Sequence, residues 1–354
     1  MKRLLALVLA LVMVLTFFGC ARKTTDNDLE GVETNDDGSV REVAKKDLVN
    51  FLVMGHDRAA SLTDVMMLVS YDTETDVMML TQIPRDTYVE LEGSSYHKMN
   101  GLYNYFVAEA RDEDSEDPEL DGCTKAAAYI GKTLGIKIHH AAVMDLDGFG
   151  DIVDAIGGVY MYVPYSMKYS DSAQNLYIDL PEGYNTLDGD EAEQFVRFRS
   201  GFVNADLGRG DAQKMFMTAF IESVKKNITV SSVATIANAI LESVKTDMKY
   251  REIIEIGTAL LDVELSGITM MTIPGELASS FYVINKECVM NVLNEGYNIY
   301  ADEITSDKVD PEGIFFDESN AAMKTVYEKP AAELDYDRHN AQDVSNEDIY
   351  IPMK

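Results

Sequence analysis

Residues 48–83 read LVNFLVMGHDRAASLTDVMMLVSYDTETDVMMLTQI, and this stretch decides the fold. Three runs rich in Val, Leu and Met, at 48–54, 65–71 and 77–83, are separated by short polar breaks. Each is of strand length and nearly continuous in apolar residues rather than alternating, the pattern of strands covered on both faces. Working outward, 138–144, 159–163 and 268–273 are further strands by the same reading. Helical patterns fall at 123–134, 148–156, 189–195, 208–226, 231–244, 250–261 and 286–293. Strands interleaved with helices in this way predict an α/β layered domain. Paired methionines such as Met66-Met67 and Met78-Met79 read as flexible core filler, and would equally suit a greasy tunnel.

The polar breaks carry the chemistry. Gly55-His56-Asp57-Arg58 follows the first run, and Asp64 opens the second. Carboxylates flanking a short loop between neighbouring strands converge on one hard cation, Mg2+ or alternatively Mn2+; turns and caps are the plainer use of Asp. Pro84-Arg85-Asp86-Thr87 closes the third run, and His97-Lys98-Met99-Asn100 follows it; alone, each also reads as a salt-bridged loop. The densest cluster is Val196-Arg197-Phe198-Arg199, then Asp206-Leu207-Gly208-Arg209 and Gln213. Spaced two apart in an extended segment, Arg197 and Arg199 present both guanidinium groups to one side. Arg209 and Gln213 share one face of the helix that opens there. Guanidinium forks beside a helix N-terminus make a pyrophosphate cradle. The plain alternative is neutralisation by Asp188, Asp190, Glu191 and Glu193.

Acidic side chains number 61 against 30 basic ones, a formal charge of −31. That balance excludes a general nucleic-acid binder, so no nucleic-acid partner is expected. An anionic ligand therefore needs a local basic cluster or a metal. No CxxC or Cys/His ligand spacing points to zinc. Gly131-Lys132-Thr133 lacks the earlier glycine of a phosphate-binding loop, since Ala126 stands there. Adjacent His139 and His140 on a strand point to opposite faces and cannot share one metal.

Residues 1–20 read as an export segment: Lys2 and Arg3, the apolar run 4–18, then Gly19-Cys20. Cys20 is the candidate lipidation site, with an uncleaved anchor helix or a simple cleaved signal as the alternatives. All three place the remaining chain on the extracytoplasmic face of the cell membrane, with the N-terminus as the membrane contact. Residues 21–46 read as a disordered linker, 47–298 as the catalytic domain, and 299–354 as a weakly ordered acidic tail. Whether Cys123 and Cys288 pair or stand apart as buried thiols is left open by the sequence.

Taken together, the segments Phe51–Arg58, Thr63–Leu68, Ile83–Tyr88, Lys98–Asn100, Asp145–Phe149, Asp154–Val159, Leu187–Gly189, Val196–Arg199 and Asp206–Arg209 with Gln213 resemble, in order and spacing, the LytR-CpsA-Psr envelope proteins. The resemblance runs from about Val49 to Glu295. It implies a mixed β-sheet flanked by helices and a hydrophobic tunnel for a polyprenyl chain. It implies transfer of a phosphoglycopolymer (teichoic acid, capsule or similar) from a polyprenyl-pyrophosphate carrier to a peptidoglycan hydroxyl. By the same resemblance Asp57 and Asp64 hold Mg2+, while Arg85, Arg197, Arg199 and Arg209 grip the pyrophosphate. Arg58, Lys98, Asn100, Asp206 and Gln213 complete or order the substrate site. The chemistry also needs a proton acceptor for the hydroxyl, for which Asp57, or an Asp near it such as Asp86, is the candidate. Leu62 and Ala212 stand where the family usually carries arginine. The rival readings are a polyprenyl-pyrophosphate phosphatase and a non-enzymatic glycopolymer-binding lipoprotein.

Overall fold

Breaks of only four residues separate the first three strands of the central sheet, so these strands must turn back on one another. In the computed structural model, which describes residues 32–34, 40–45, 47–57, 61–171, 176–198, 207–227, 233–259, 262–336 and 338–341, they do so. A short antiparallel pair, β1 (Val32–Thr34) and β2 (Val40–Glu42), leads into the meander β3 (Leu48–Asp57), β4 (Leu62–Asp72) and β5 (Val77–Gln82). Helices α1 (Leu102–Asp112) and α2 (Pro118–Leu134) then cross over to β6 (His140–Met144), which lies parallel to β3. Next come α3 (Leu146–Ala155), β7 (Val159–Val163), the hairpin β8 (Met167–Asp171) and β9 (Leu176–Leu180), and β10 (Gly183–Leu187), which returns antiparallel to β7. Helices α4 (Gly189–Arg197), α5 (Leu207–Asn227) and α6 (Val233–Ser243) precede the edge strand β11 (Val244–Thr246). After α7 (Tyr250–Ala259), β12 (Ile268–Thr272) adds parallel to β5. The hairpin β13 (Gly275–Ala278) and β14 (Phe281–Ile284), α8 (Lys286–Gly296), α9 (Ala321–Tyr327) and β15 (Arg338–Asn340) follow.

The central sheet has the order β11-β6-β3-β4-β5-β12-β15 and is mixed. Helices cover both of its faces, as expected for strands apolar throughout. Alternate residues of β3 and β4 face opposite layers. Leu52, Met54, Met66 and Leu68 pack with Ile130, Val292 and Leu293 from α2 and α8. Phe51, Val53, Met67 and Val69 pack with Phe149, Phe195, Phe216 and Ile240 from α3 to α6. The six strands read from sequence are all present, β7 with the bounds expected.

The structure departs from the sequence reading at both margins. The segment around β2, read as disordered linker, is docked: Val43 bridges to Tyr300, and the Ala301 N–H donates to the Glu42 carbonyl at 2.9 Å. Arg41 lies over the Tyr300 ring at 3.5 Å and donates to Asp302 and to the Gly135 carbonyl at the end of α2. Beyond 298, the expected tail is built into the core. Ile304, Val309, Ile314 and Phe315 are buried against α2 and α8, and β15 closes the sheet edge beside β12. Isolated apolar residues set among acids carry no periodic signal, yet each fills a gap left by the helices. Cys123 and Cys288 are separate buried thiols, so no disulfide joins them. Among the described residues no helix is long and apolar enough to cross a membrane. Residues 1–20, with Cys20, lie outside the described residues.

Close helix packing supports the far layer. Asp188 accepts from the Glu191 N–H at 2.9 Å while Glu191 accepts from the Asp188 N–H at 3.2 Å, a reciprocal cap that starts α4. Gly189 follows, against Gly150 of α3; a Cβ there would stand 2.5 Å from the Gly150 carbonyl oxygen. Backbone cannot yield as a side chain can, so Gly189→Ala is expected to destabilise the protein by about 2 kcal/mol or more in denaturant titration. An unchanged midpoint would show that the two helices slide apart freely.

Candidate active site

Strands β3, β5, β6 and β12 run in one direction, so their C-terminal ends gather along a single edge of the sheet. Open α/β sheets bind ligands outside such ends. Asp57 ends β3 there, and Asp64 lies near the start of the antiparallel β4. The register slips between Gly55 and His56, leaving Asp64 and Val65 against the single residue Gly55. A bulge of this kind bends its strand and re-aims a side chain. It turns the Asp64 carboxylate, 7% exposed, onto Arg85, whose Nη1 donates to Oδ1 at 3.0 Å.

The second and third sequence clusters come together at the same edge. Arg85 and Asp86 lie in the loop after β5, and Lys98 donates to Asp86 Oδ1 at 2.7 Å. Backbone bonds zip the two loops: the Asn100 N–H donates to the Arg85 carbonyl at 3.0 Å and the Met99 N–H to Thr87 at 2.8 Å. Asn100 is buried and accepts from the Tyr96 hydroxyl at 2.8 Å, so it orders the loop rather than facing a ligand. Arg85 Nε is 3.6 Å from Asp86 Oδ2 and, among the described residues, is buried with no hydrogen-bond partner.

Arg197 departs from its sequence reading. It is not extended but ends α4, because the Asp188–Glu191 cap drives a helix through 189–197. Its Nη1 donates to Glu193 at 2.5 Å, as the neutralisation alternative foresaw, while its Nε is buried without a partner among the described residues. Extension begins at Phe198, which packs in the core against Tyr165. Arg209 and Gln213 lie in the first turns of α5, as the spacing required; their side chains, with Arg58, Arg199 and Asp206, lie outside the described residues.

Sequence reasoning passed over His56 and its neighbours. The His56 ring meets Tyr103 edge-on at 5.1 Å and lies 3.3 Å from Asn104 Nδ2, which also donates to the Ser61 carbonyl. His56 and Tyr103 border a cleft of about 210 Å3 shared with Glu119, Asp145 and Lys245. Its signal in the sequence was present: His56 sits within the quoted Gly-His-Asp break.

Two carboxylates at one strand edge suit Mg2+, which commonly takes one or two carboxylates and keeps waters or phosphate oxygens as its other ligands. Among the described residues no group of three or more His, Cys, Asp or Glu side chains is placed to hold a metal, so an all-protein cage is not what these residues form.

The chain has relatives among named proteins and solved structures. The chain is 28% identical over 258 residues to the polyisoprenyl-teichoic acid–peptidoglycan teichoic acid transferase TagU of Oceanobacillus iheyensis, covering 71% of this chain and 76% of that one. It is 28% identical over 284 residues to TagV of Bacillus subtilis, with 76% and 68% covered. The crystal structure of B. subtilis TagV superposes with a TM-score of 0.53 at 23% identity, covering 70% of this chain and 95% of that one. TagT bound to LI-WTA superposes at 0.52 with 21% identity, covering 71% and 89%. At these identities the structural matches establish the fold. The LytR_cpsA_psr family model matches residues 11–303, most of the chain, and the protein belongs to that family.

Proposed function

We propose that this protein transfers a phosphate-linked glycopolymer of the teichoic-acid kind from a polyisoprenyl-pyrophosphate carrier to a peptidoglycan hydroxyl, on the outer face of the cell membrane. The observation that carries the reading is the junction of Asp64, Arg85, Asp86 and Lys98 at the C-terminal edge of the sheet, where Arg85 Nε is buried with Asp86 at 3.6 Å and, among the described residues, no hydrogen-bond acceptor. A buried guanidinium N–H without a hydrogen-bond acceptor costs free energy. A phosphate oxygen supplies that acceptor.

Each residue then has a task. Arg85 and Arg197 neutralise charge that grows on the bridging oxygen and the departing lipid phosphate. Lys98 holds Asp86, which in this reading takes the proton from the attacking hydroxyl as that oxygen closes on the glycan-linked phosphorus. Asp57 and Asp64 would hold Mg2+, which when bound supplies further neutralisation of the pyrophosphate. Asp64 also aligns Arg85 through its own hydrogen bond. The names of the transferase relatives support the donor and acceptor classes.

The test is a transfer assay with the full chain, a short-chain polyprenyl-pyrophosphate glycan and a peptidoglycan oligomer. Glycan phosphate on the oligomer, lost with chelator and restored by Mg2+ or Mn2+, is the expected result. Lipid phosphate released without transfer would replace the reading with a phosphatase. Tight lipid binding without any turnover would leave a binding protein in which Leu62 and Ala212 have removed the usual grip.

A further inference from the structure

The ribbon of β7 and β10 turns one face to the core and one to solvent. Val159, Met161, Val163 and Leu187 are buried beneath it. Outward positions of such a ribbon are ordinarily polar, but here they carry Tyr160, Tyr162 and Tyr184 beside a single Thr186. Tyr160 is 48% exposed and Tyr184 50%. Their rings lie 5.5 Å apart and within 13° of parallel. Tyr162 stands directly opposite Tyr184 in the register and meets it edge-on at 5.1 Å. The platform is firmly backed: the Tyr160 N–H donates to Ser223 Oγ of α5 at 2.9 Å. Lys226 of the same helix places its ammonium 5.4 Å from the Tyr160 ring centroid.

Cross-strand aromatic pairs glue a ribbon together, yet that role leaves half of each outer ring in water. The chemistry of the face restricts what covers it. Flat rings rimmed by phenol hydroxyls suit the C–H face of a neutral pyranose, whose own hydroxyls reach the phenols. An apolar helix would strand those hydroxyls away from water. In a protein of charge −31 a polyanionic chain needs a local cluster of basic groups, and the Lys226 ammonium beside the rings is one charge rather than a cluster.

We infer that this tyrosine face binds the neutral glycan strand of the acceptor, several sugars away from the reacting hydroxyl; the word acceptor rests on the transferase reading above. Lys226 and Arg209 are seventeen residues apart on α5, so the platform and the turn carrying Arg209 are about 25 Å apart along the helix. One sugar reaches only one of them; a strand reaches both. Affinity for glycan therefore grows with chain length, which favours polymerised wall over a single repeat unit.

The experiment is saturation-transfer NMR and calorimetry on the full chain with N-acetylglucosamine oligomers of two and six sugars. The hexamer is expected to bind more tightly than the dimer. Tyr160→Thr with Tyr184→Thr, which keeps strand-forming residues, is expected to weaken the hexamer about tenfold, the worth of two aromatic contacts. Tyr160→Phe with Tyr184→Phe keeps the rings and most of the binding. No hexamer binding to the wild-type chain, or equal binding to the threonine pair, would overturn the inference. Loss of self-association in the threonine pair with sugar binding unchanged would overturn it too, and give the face to a second copy. Binding is read without turnover and is to be repeated in Asp64→Ala, so failure of the transferase reading leaves this result standing.

Discussion

Asp64→Ala is expected to lower transfer by about a thousandfold, the upper range for removing one preorganised electrostatic group, while the protein stays folded. Asp64 is nearly buried, and its Oδ1 takes the Arg85 bond at 3.0 Å. Its removal takes one oxygen ligand from any bound Mg2+ and lets Arg85 swing away from the reacting phosphate. The stability cost is small by comparison, about 1–2 kcal/mol, because the Arg85 side chain is 29% exposed and has Asp86 at 3.6 Å as a second partner. Asp64→Asn separates charge from shape: it keeps the volume and an acceptor oxygen but not the negative charge. A fall as deep as in the alanine variant assigns the effect to charge. Transfer at the wild-type rate in both variants, measured as kcat and KM on the same preparation, would dismantle the proposed site.

A chain ending at residue 298 is expected not to fold, although the sequence alone sets a domain boundary there. The cut removes Ile304, Val309, Ile314, Phe315 and Tyr327, all buried. Burying one large apolar side chain is worth roughly 1.5–3 kcal/mol, so losing five is comparable with the whole of the roughly 5–15 kcal/mol that holds a typical domain together. Polar anchors go too. Asn285, fully buried, loses the Val326 and Lys329 carbonyls it donates to at 3.0 and 2.7 Å. Arg338, which grips Glu295 through both guanidinium nitrogens and holds that carboxyl below the usual range, is also lost. Circular dichroism and urea titration against a chain ending at 341 decide the matter. A cooperative transition in the shorter chain would show that the segment is an appendage.

What the sequence shows and hides follows from the range of the forces involved. Strands β3, β4 and β5 were legible because burial on both faces writes an unbroken apolar run. Helix α1 was not: Leu102-Tyr-Asn-Tyr-Phe-Val107 is rich in aromatics, which have modest helix propensity, and it is held by packing of Leu102, Tyr103 and Val107 against α2. The same logic hid the segment after 298, whose apolar residues answer to distant partners rather than to each other. In the site, Asp57, Asp64, Arg85, Asp86 and Lys98 stood out because each sits in a polar break beside an apolar run, where strand ends must meet. Arg197 is helical rather than extended because the cap formed by Asp188 and Glu191, nine and six residues upstream, outweighs the local pattern. The bulge that re-aims Asp64 left no mark in the sequence at all.

The docking of β2 onto the segment after α8 has a mechanical meaning. Val43, Arg41 and the Glu42 carbonyl grip Tyr300, Ala301 and Asp302, and Arg41 reaches on to the end of α2. Tension applied to the residues ahead of β2 is shared by that clamp, loaded in shear, instead of peeling β3 from the sheet one bond at a time. The clamp lies at the Leu48 end of β3, and Asp57 stands nine residues on from Leu48, about 30 Å away. The protein can be tugged by its leading end while the edge that carries Asp57 and Asp64 feels no strain.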